Sequence, residues 1–352
     1  MRGPSISLLA RALALGCATL LMSTAQAALT YRLTEVISST TFGSILGAPA
    51  INAMGQVAFY GTPAGQSGLH IVRVTGTLHE TLAIESSVGA LSMNDHGVVA
   101  YATANQIRTA DEAGVQTAVE SGAAFSQFDR PTIDNLGRIT FKAAAGGGRG
   151  LFQLVQGSIA TIALSRDAQS TSPVVSIFDH YSNEAGNVAF AATMSLGVGS
   201  IFLADETGLS PVIDTNGPFS SIQGASINNL GKVAFLGALD AGGEGIFVLD
   251  AAGRVTPVSL SGNGITTYAG APAISDSGAV AYLAHLVSGH DALFVQAGLD
   301  EVEIVATGAE LGGRKVSALD FGSLDSAGNF AFRAFFEGGG NAIFVATPDP
   351  VP

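Results

Sequence analysis

The sequence predicts an all-β fold, a seven-bladed β-propeller of four-stranded antiparallel blades whose ring is closed by the N-terminal strand. Three observations carry this expectation. A Gly-centred turn motif recurs seven times at a nearly constant interval, and the segments between its copies alternate with the period of two that strands require. The two ends of the array each supply the part of a blade that the other lacks.

The motif is Asn, Asp or Ser, two residues, Gly, three residues, then an aromatic. It stands at Asn52-Gly55-Phe59, Asn94-Gly97-Tyr101, Asp134-Gly137-Phe141, Asn183-Gly186-Phe190, Asn228-Gly231-Phe235, Ser275-Gly278-Tyr282 and Asp325-Gly328-Phe332. The glycines are spaced by 42, 40, 49, 45, 47 and 50 residues. A short polar side chain that bonds its own backbone starts a turn, and a Gly at positive φ closes it, so each copy reads as a hairpin between two strands. An apolar residue precedes the motif in six copies (Ile51, Met93, Ile133, Ile227, Ile274, Leu324), with Ser182 the exception. The second strand then alternates bulky and small, as in Val57-Ala58-Phe59, Val99-Ala100-Tyr101 and Val233-Ala234-Phe235. One face carries β-branched and aromatic bulk while the other carries Ala, which lets a neighbouring sheet approach closely.

A third strand is marked by Leu151-Phe152, Ile201-Phe202, Ile246-Phe247, Leu293-Phe294 and Ile343-Phe344. It leads into a second turn, seen at Asp111–Gly114, Asp205–Gly208 and Asp250–Gly253, and then a fourth strand such as Leu209–Ile213 or Val255–Leu260. Four antiparallel strands in about 45 residues make a propeller blade. The seventh copy ends after its third strand, at Ile343–Ala346, and an unassigned strand, Leu29–Ile37, stands at the other end of the array. Joining them completes 28 strands and leaves no long unpaired edge.

Residues 1–27 read as a signal peptide: Arg2 and Arg11, an apolar run from Ala12 to Met22, and Ala25-Gln-Ala27 before Ala28. A lipoprotein box at Leu15-Gly16-Cys17 is the lesser reading, because the apolar stretch before it is short for such a signal. The propeller is expected over 28–346, followed by a Pro-rich tail, 347–352, that ends the sheet because each Pro lacks an N–H. Cys17 is the only cysteine, so no disulfide staples the exported chain. The formal net charge of −13, with Lys and Arg scattered, excludes nucleic acid and anionic membrane surfaces as partners. After residue 27 no apolar run is long enough to span a membrane.

The seven copies resemble the bacterial tandem-repeat family named for its N-x-x-G-x-x-A-F motif, whose members are exported and carry varied C-terminal anchors. Pro350-Val-Pro352 is similar to the start of a PEP-CTERM sorting signal, although no Glu, apolar helix or basic end follows it. The resemblance implies a secreted or surface-bound protein of a Gram-negative bacterium and brings no activity with it.

Motifs that carry chemistry are scarce. Sialidase Asp-boxes place their aromatic three residues after Gly rather than four, and no arginine cluster stands ready for a substrate carboxylate. Asp111, Glu112, Asp205, Glu206 and Asp250 fall in separate turns, whereas calcium needs six to eight converging oxygens. His70, His79, His96, His180, His285 and His290 show no metal-ligand spacing, so no metal and no cofactor are expected. There is no G-x-S-x-G elbow, and Gly146–Gly148 precedes a strand rather than a helix. No catalytic residue is assigned.

The candidate site is the mouth of the central channel opposite the Asn-x-x-Gly turns, where the loops entering the innermost strands converge. It offers Asp129, Arg130, Asp179, His180, Gln223 and Asp320. The expected role is a non-enzymatic binding or structural module whose partner is a polysaccharide or an envelope or matrix protein. The alternative is a polysaccharide hydrolase or lyase using Asp129, Asp179 and Asp320, which requires two carboxyls about 5–9.5 Å apart.

Overall fold

The structure, a computed structural model, describes residues 29–349 apart from 168 and 170; the expected signal peptide, 1–27, lies outside the described residues. Seven antiparallel sheets follow one another along the chain, and consecutive strands pair within each. The fifth blade shows the plan, with strands Phe219–Ile227, Val233–Leu239, Glu244–Leu249 and Val255–Leu260. The others occupy 43–85, 91–120, 132–164, 174–214, 265–306 and 314–348. The last of these is completed by the N-terminal strand, Tyr31–Ser38, which pairs antiparallel with Asn341–Pro348 from Tyr31↔Pro348 to Ser38↔Ala342. The ring is therefore closed as the two incomplete ends of the repeat require. A twenty-ninth strand, the two residues Glu310–Leu311, pairs with Arg314 and Lys315 at the start of the seventh blade.

The bulky positions read from the sequence form the core. The motif aromatics Phe59, Tyr101, Phe141, Phe190, Phe235, Tyr282 and Phe332 are buried, and in blades three to seven each lies opposite a Phe of the third strand. Phe190 with Phe202, Phe235 with Phe247 and Tyr282 with Phe294 stack at ring separations of 5.3 to 5.6 Å. Burial of each such ring stabilises the fold by roughly 1.5–3 kcal/mol. Blade two replaces the Phe with Arg108, and there the Tyr101 hydroxyl donates to Glu85, which also pairs with Arg108. The facing Ala residues, among them Ala58, Ala100, Ala189, Ala234, Ala281 and Ala331, are fully buried. The apolar clusters span neighbouring blades; one joins Ile37 and Ile343 of the seventh to Ile45, Val57 and Phe59 of the first.

Two departures have local causes. The sheet runs two residues past the expected boundary at Ala346, through Thr347 and Pro348. Asp349 N–H donates to Thr30 C=O, so the adjacent Tyr31–Pro348 pair is a non-hydrogen-bonded one. The missing N–H of Pro348 thus points away from Tyr31, on the side where the neighbouring strand has already ended at Phe330. The innermost strands also vary. They run nine to eleven residues in five blades but only three in the second (Leu91–Met93) and two in the third (Thr132–Ile133), where Pro131 interrupts the ladder.

Candidate functional site

The innermost strands surround a central cavity of about 450 Å³. Strand alternation decides which residues reach it. Counting back from each turn residue, the second position lines the channel in every blade: Ala50, Ser92, Thr132, Tyr181, Ser226, Ala273 and Ser323. The fourth position lines it in six blades, as Ala48, Ala90, Arg130, Asp179, Ala271 and Phe321. In the fifth blade the fourth position is Gly224, where a Cβ would fall 2.6 Å from Ala271 Cα, so the fifth and sixth blades touch backbone to backbone. The wall toward the loop face, the end away from the Asn-x-x-Gly turns, is therefore uncharged except at blades three and four, and small except there and at Tyr60 and Phe321.

At that place Arg130 lies over the Tyr181 ring, 4.8 Å from its centroid, and its Nη1 donates to Tyr181 Oη at 3.0 Å. Asp179 lines the same wall. These are the two expected site residues that the channel brings together. The other four are corrected by the structure. Asp129 and Asp320 stand five positions before their turns, on the opposite face of the strand from the channel-lining positions, where basic residues of their own blades hold them. Asp129 binds Lys142 Nζ at 3.0 Å and Arg149 Nη2 at 3.3 Å. Burial raises its carboxyl, but the Arg130 N–H and the Lys142 and Arg149 charges outweigh this and hold it below its ordinary value. Asp320 is bound by Arg333, whose Nη1 reaches Ile45 C=O at 2.7 Å and so fastens the seventh blade to the first. Gln223 is exposed and does not line the channel.

His180, three positions before its turn, is buried between blades three and four with Nε2 3.3 Å from Thr140 C=O. Burial pushes its imidazole down to about 4. The unfolded chain, titrating near 6.5, takes up a proton that the fold excludes, so stability present above 6.5 is lost as pH falls toward 4. The loss attributable to this residue is about 3 kcal/mol. Denaturant unfolding near neutrality and near pH 4.5 checks it: His180→Gln should show an acid-induced loss smaller than the parent's by about 2 kcal/mol, the part of the effect that falls in this interval.

The turn face carries two concentric belts of inter-blade hydrogen bonds. In the inner belt the buried turn residue reaches the next blade's carbonyl: Asn52 to Asn94 at 2.9 Å, Asn94 to Asp134 at 3.0 Å, Asn183 to Asn228 at 3.0 Å, Asn228 to Ser275 at 2.8 Å. In the outer belt the N–H of the following residue donates to its counterpart's side chain, from Ala53 to Asp95, Asp95 to Asn135, Asn135 to Glu184, Glu184 to Asn229 and Asn229 to Asp276. This following position was not among the candidate residues read from the sequence. Its signal was available, because six of its seven residues carry a side-chain oxygen and only Ala53 does not. Burial pushes the Glu184 carboxyl up, with the charges of Asp134 and Asp95 adding to it. The carboxylates of the second turns are also spent locally: Asp111, Asp205 and Asp250 each accept the N–H two residues on.

Beside the channel mouth, on the loop face of blades three and four, lies an open cleft of about 710 Å³. It is walled by Phe125, Ser126 and Gln127 of the segment where the third blade's innermost strand is missing, with Arg149, Ser176 and Ile177.

No family model matches the sequence, and no curated protein matches it. Solved structures do resemble the fold. Virginiamycin B lyase from Staphylococcus aureus superposes with a TM-score of 0.54 at 13% identity, over 89% of this chain and 99% of that one. YCF48 bound to D1 peptide gives 0.52 at 10%, over 90% and 96%. The β-propeller domain of the Trilobed protease from Pyrococcus furiosus gives 0.53 at 14%, over 73% and 80%. That domain is described as an open velcro, whereas here the N-terminal strand closes the ring. The likeness is one of fold alone. Among the described residues no helix is long and apolar enough to cross a membrane.

Proposed function

We propose that the chain is an exported, non-enzymatic propeller that works as a binding module at the cell surface or in the extracellular matrix, through its loop face. One observation carries the reading: a channel wall otherwise uncharged toward the loop face becomes charged at Arg130 and Asp179, with the Tyr181 ring under the guanidinium, beside the blade where the innermost strand is interrupted. Departure from a sevenfold repeat costs ladder hydrogen bonds, so a place where it occurs together with unusual side chains is where a ligand is expected. The basic, apolar and small-residue run of 1–27 supports export, and the N-x-x-G-x-x-A-F resemblance supports the surface location.

Topology favours this face. Thr30 lies against Asp349, with Thr30 Oγ1 donating to Asp349 Oδ2 at 2.8 Å, at the turn end of the seventh blade. Both ends of the described chain thus lie on the turn face, away from the loop face. A hydrolase or lyase acting through Asp129, Asp179 and Asp320 is disfavoured, because Asp129 and Asp320 belong to the third and seventh blades, are not neighbours on the ring, and are each neutralised by cations.

A glycan microarray tests the proposal. The folded protein should be retained on at least one carbohydrate class, and Arg130→Ala should weaken retention about tenfold, the loss expected for one charge-assisted contact, without lowering the melting temperature by more than a few degrees. An empty array together with no retention on isolated envelope or matrix material would count against it, and so would time-dependent release of new reducing ends from any retained glycan.

A further inference from the structure

The loop-face cleft of blades three and four differs in charge from the rest of the molecule. The chain has 28 acidic and 15 basic residues, yet the loop face of blades three and four carries Arg130, Lys142, Arg149 and Arg166 against Asp129, Asp167 and Asp179; of these Arg149 and Asp167 line the cleft, and Arg166 stands between its lining residues Ser165 and Asp167. One carboxylate, Asp129, serves both Lys142 and Arg149. Arg166 is exposed and donates only to Ser172 C=O and Ser195 Oγ; among the described residues no carboxylate pairs with it. Cationic hydrogen-bonding capacity is thus left over at the rim of a cleft in a strongly acidic protein.

The shape of the cleft is paid for in backbone strain. Four non-glycine residues have positive φ among the described residues, and two of them border this place: Gln127, at 52°, in the wall, and Leu196, at 69°, in the turn that receives Arg166. Arg149 Nη1 donates to Gln127 C=O at 3.0 Å and holds that strained segment open. Such strain persists only where the surroundings impose it, and it concentrates at ligand clamps. The volume, about 710 Å³, lies in the range of ligand clefts, roughly 300–1,000 Å³.

We infer that this cleft binds an acidic polysaccharide, with Arg149 and Arg166 receiving the carboxylates of uronate units. Guanidinium groups match planar carboxylates with paired donors. Ser126, Gln127 and Ser176 supply donors and acceptors for sugar hydroxyls, and Phe125 and Val175 give an apolar wall for the ring faces. The lining favours a glycan over an acidic peptide, because its exposed residues are mostly Gly, Ala, Ser and Gln, with little apolar surface to anchor peptide side chains. The inference rests on the binding-module reading and names the ligand class for an adjoining part of the same face.

Titration of the folded protein with polygalacturonate, with dextran as the neutral probe and poly-glutamate as the acidic peptide probe, tests it. Polygalacturonate should bind, dextran should not, and added salt should weaken the complex because exposed charges are screened. Arg166→Gln, whose contacts lie at the surface, should weaken binding about tenfold, and Arg149→Gln more, since it also releases Gln127. Polygalacturonate binding that neither variant alters overturns the location. Poly-glutamate binding as tightly as polygalacturonate overturns the glycan assignment, and equal binding of dextran overturns the need for an acid. Absence of polygalacturonate binding overturns this inference alone; the binding-module reading stands or falls separately, on the microarray with Arg130→Ala.

Discussion

A chain starting at Gly43, and so lacking Tyr31–Ser38, is expected to lose its cooperative thermal transition and to elute as aggregate rather than monomer. The deletion uncovers Asn341–Pro348 along its length and turns it into a free edge that carries the buried Ala342, Ile343, Phe344 and Ala346. It also removes Ile37 from the cluster that joins the seventh blade to the first. Each ladder hydrogen bond lost forfeits roughly 0.5–1.5 kcal/mol and each buried aliphatic side chain roughly 1.5–3. The sum reaches the whole stability of an ordinary domain, about 5–15 kcal/mol. An exposed apolar edge of this length also templates pairing with other chains. A permuted chain that carries residues 29–42 after a short linker following Asp349 separates strand identity from chain order. Because Thr30 and Asp349 already touch, it should melt as a cooperative monomer within a few degrees of the parent. Circular dichroism melts and size-exclusion chromatography of both constructions decide the matter; a cooperative, monomeric truncation would refute the closure argument.

The second large effect belongs to the inner belt. Asn228→Ala should destabilise by about 3 kcal/mol, because it leaves one buried and two partly buried backbone groups without their partner. Asn228 Oδ1 accepts from Leu230 N–H at 3.1 Å and Lys232 N–H at 2.9 Å, and Nδ2 donates to Ser275 C=O at 2.8 Å. One residue therefore closes its own turn and ties the fifth blade to the sixth. The neighbour Asn229 is exposed, so Asn229→Ala should cost only about 1 kcal/mol although it too bridges blades. Denaturant unfolding of the two variants gives the comparison, and equal losses would mean that burial does not set the scale. Where the turn residue is Asp, a donor stands four positions on: Arg138 for Asp134 and Asn329 for Asp325, the latter at 2.7 Å. The acid is tolerated in the buried position because its second oxygen is satisfied there.

Much of this was legible in the sequence because it is local. Asn228 and Gly231 specify a turn through bonds that span four residues, and Val233-Ala234-Phe235 specifies two faces through alternation alone. The Phe of the third strand was recognisable in five blades; the two without it substitute Val72 and Arg108 opposite the motif aromatic. Of the six candidate site residues, Arg130 and Asp179 line the channel, while His180 sits one position away and points into the interface between blades. A shift of one residue moves a side chain to the other face, and five of the innermost strands carry register shifts just before the turn, among them Ile177/His180 and Gln223/Ala225. No local pattern fixes where such a shift falls.

The sequence by itself determined the number of blades, the chemistry of their turns, the buried aromatics and the strand that closes the ring, because each depends on bonds within one repeat or on what the two ends lack. Only the tertiary structure decided which carboxylates stay available. Lys142 and Arg149 meet Asp129, and Arg333 meets Asp320, across strands whose register is set by the packing of whole blades. Among the described residues the same packing left Arg166 without a carboxylate beside a cleft that no motif announces, since the charge balance of a place is a property of neighbours in space and not of neighbours in the chain.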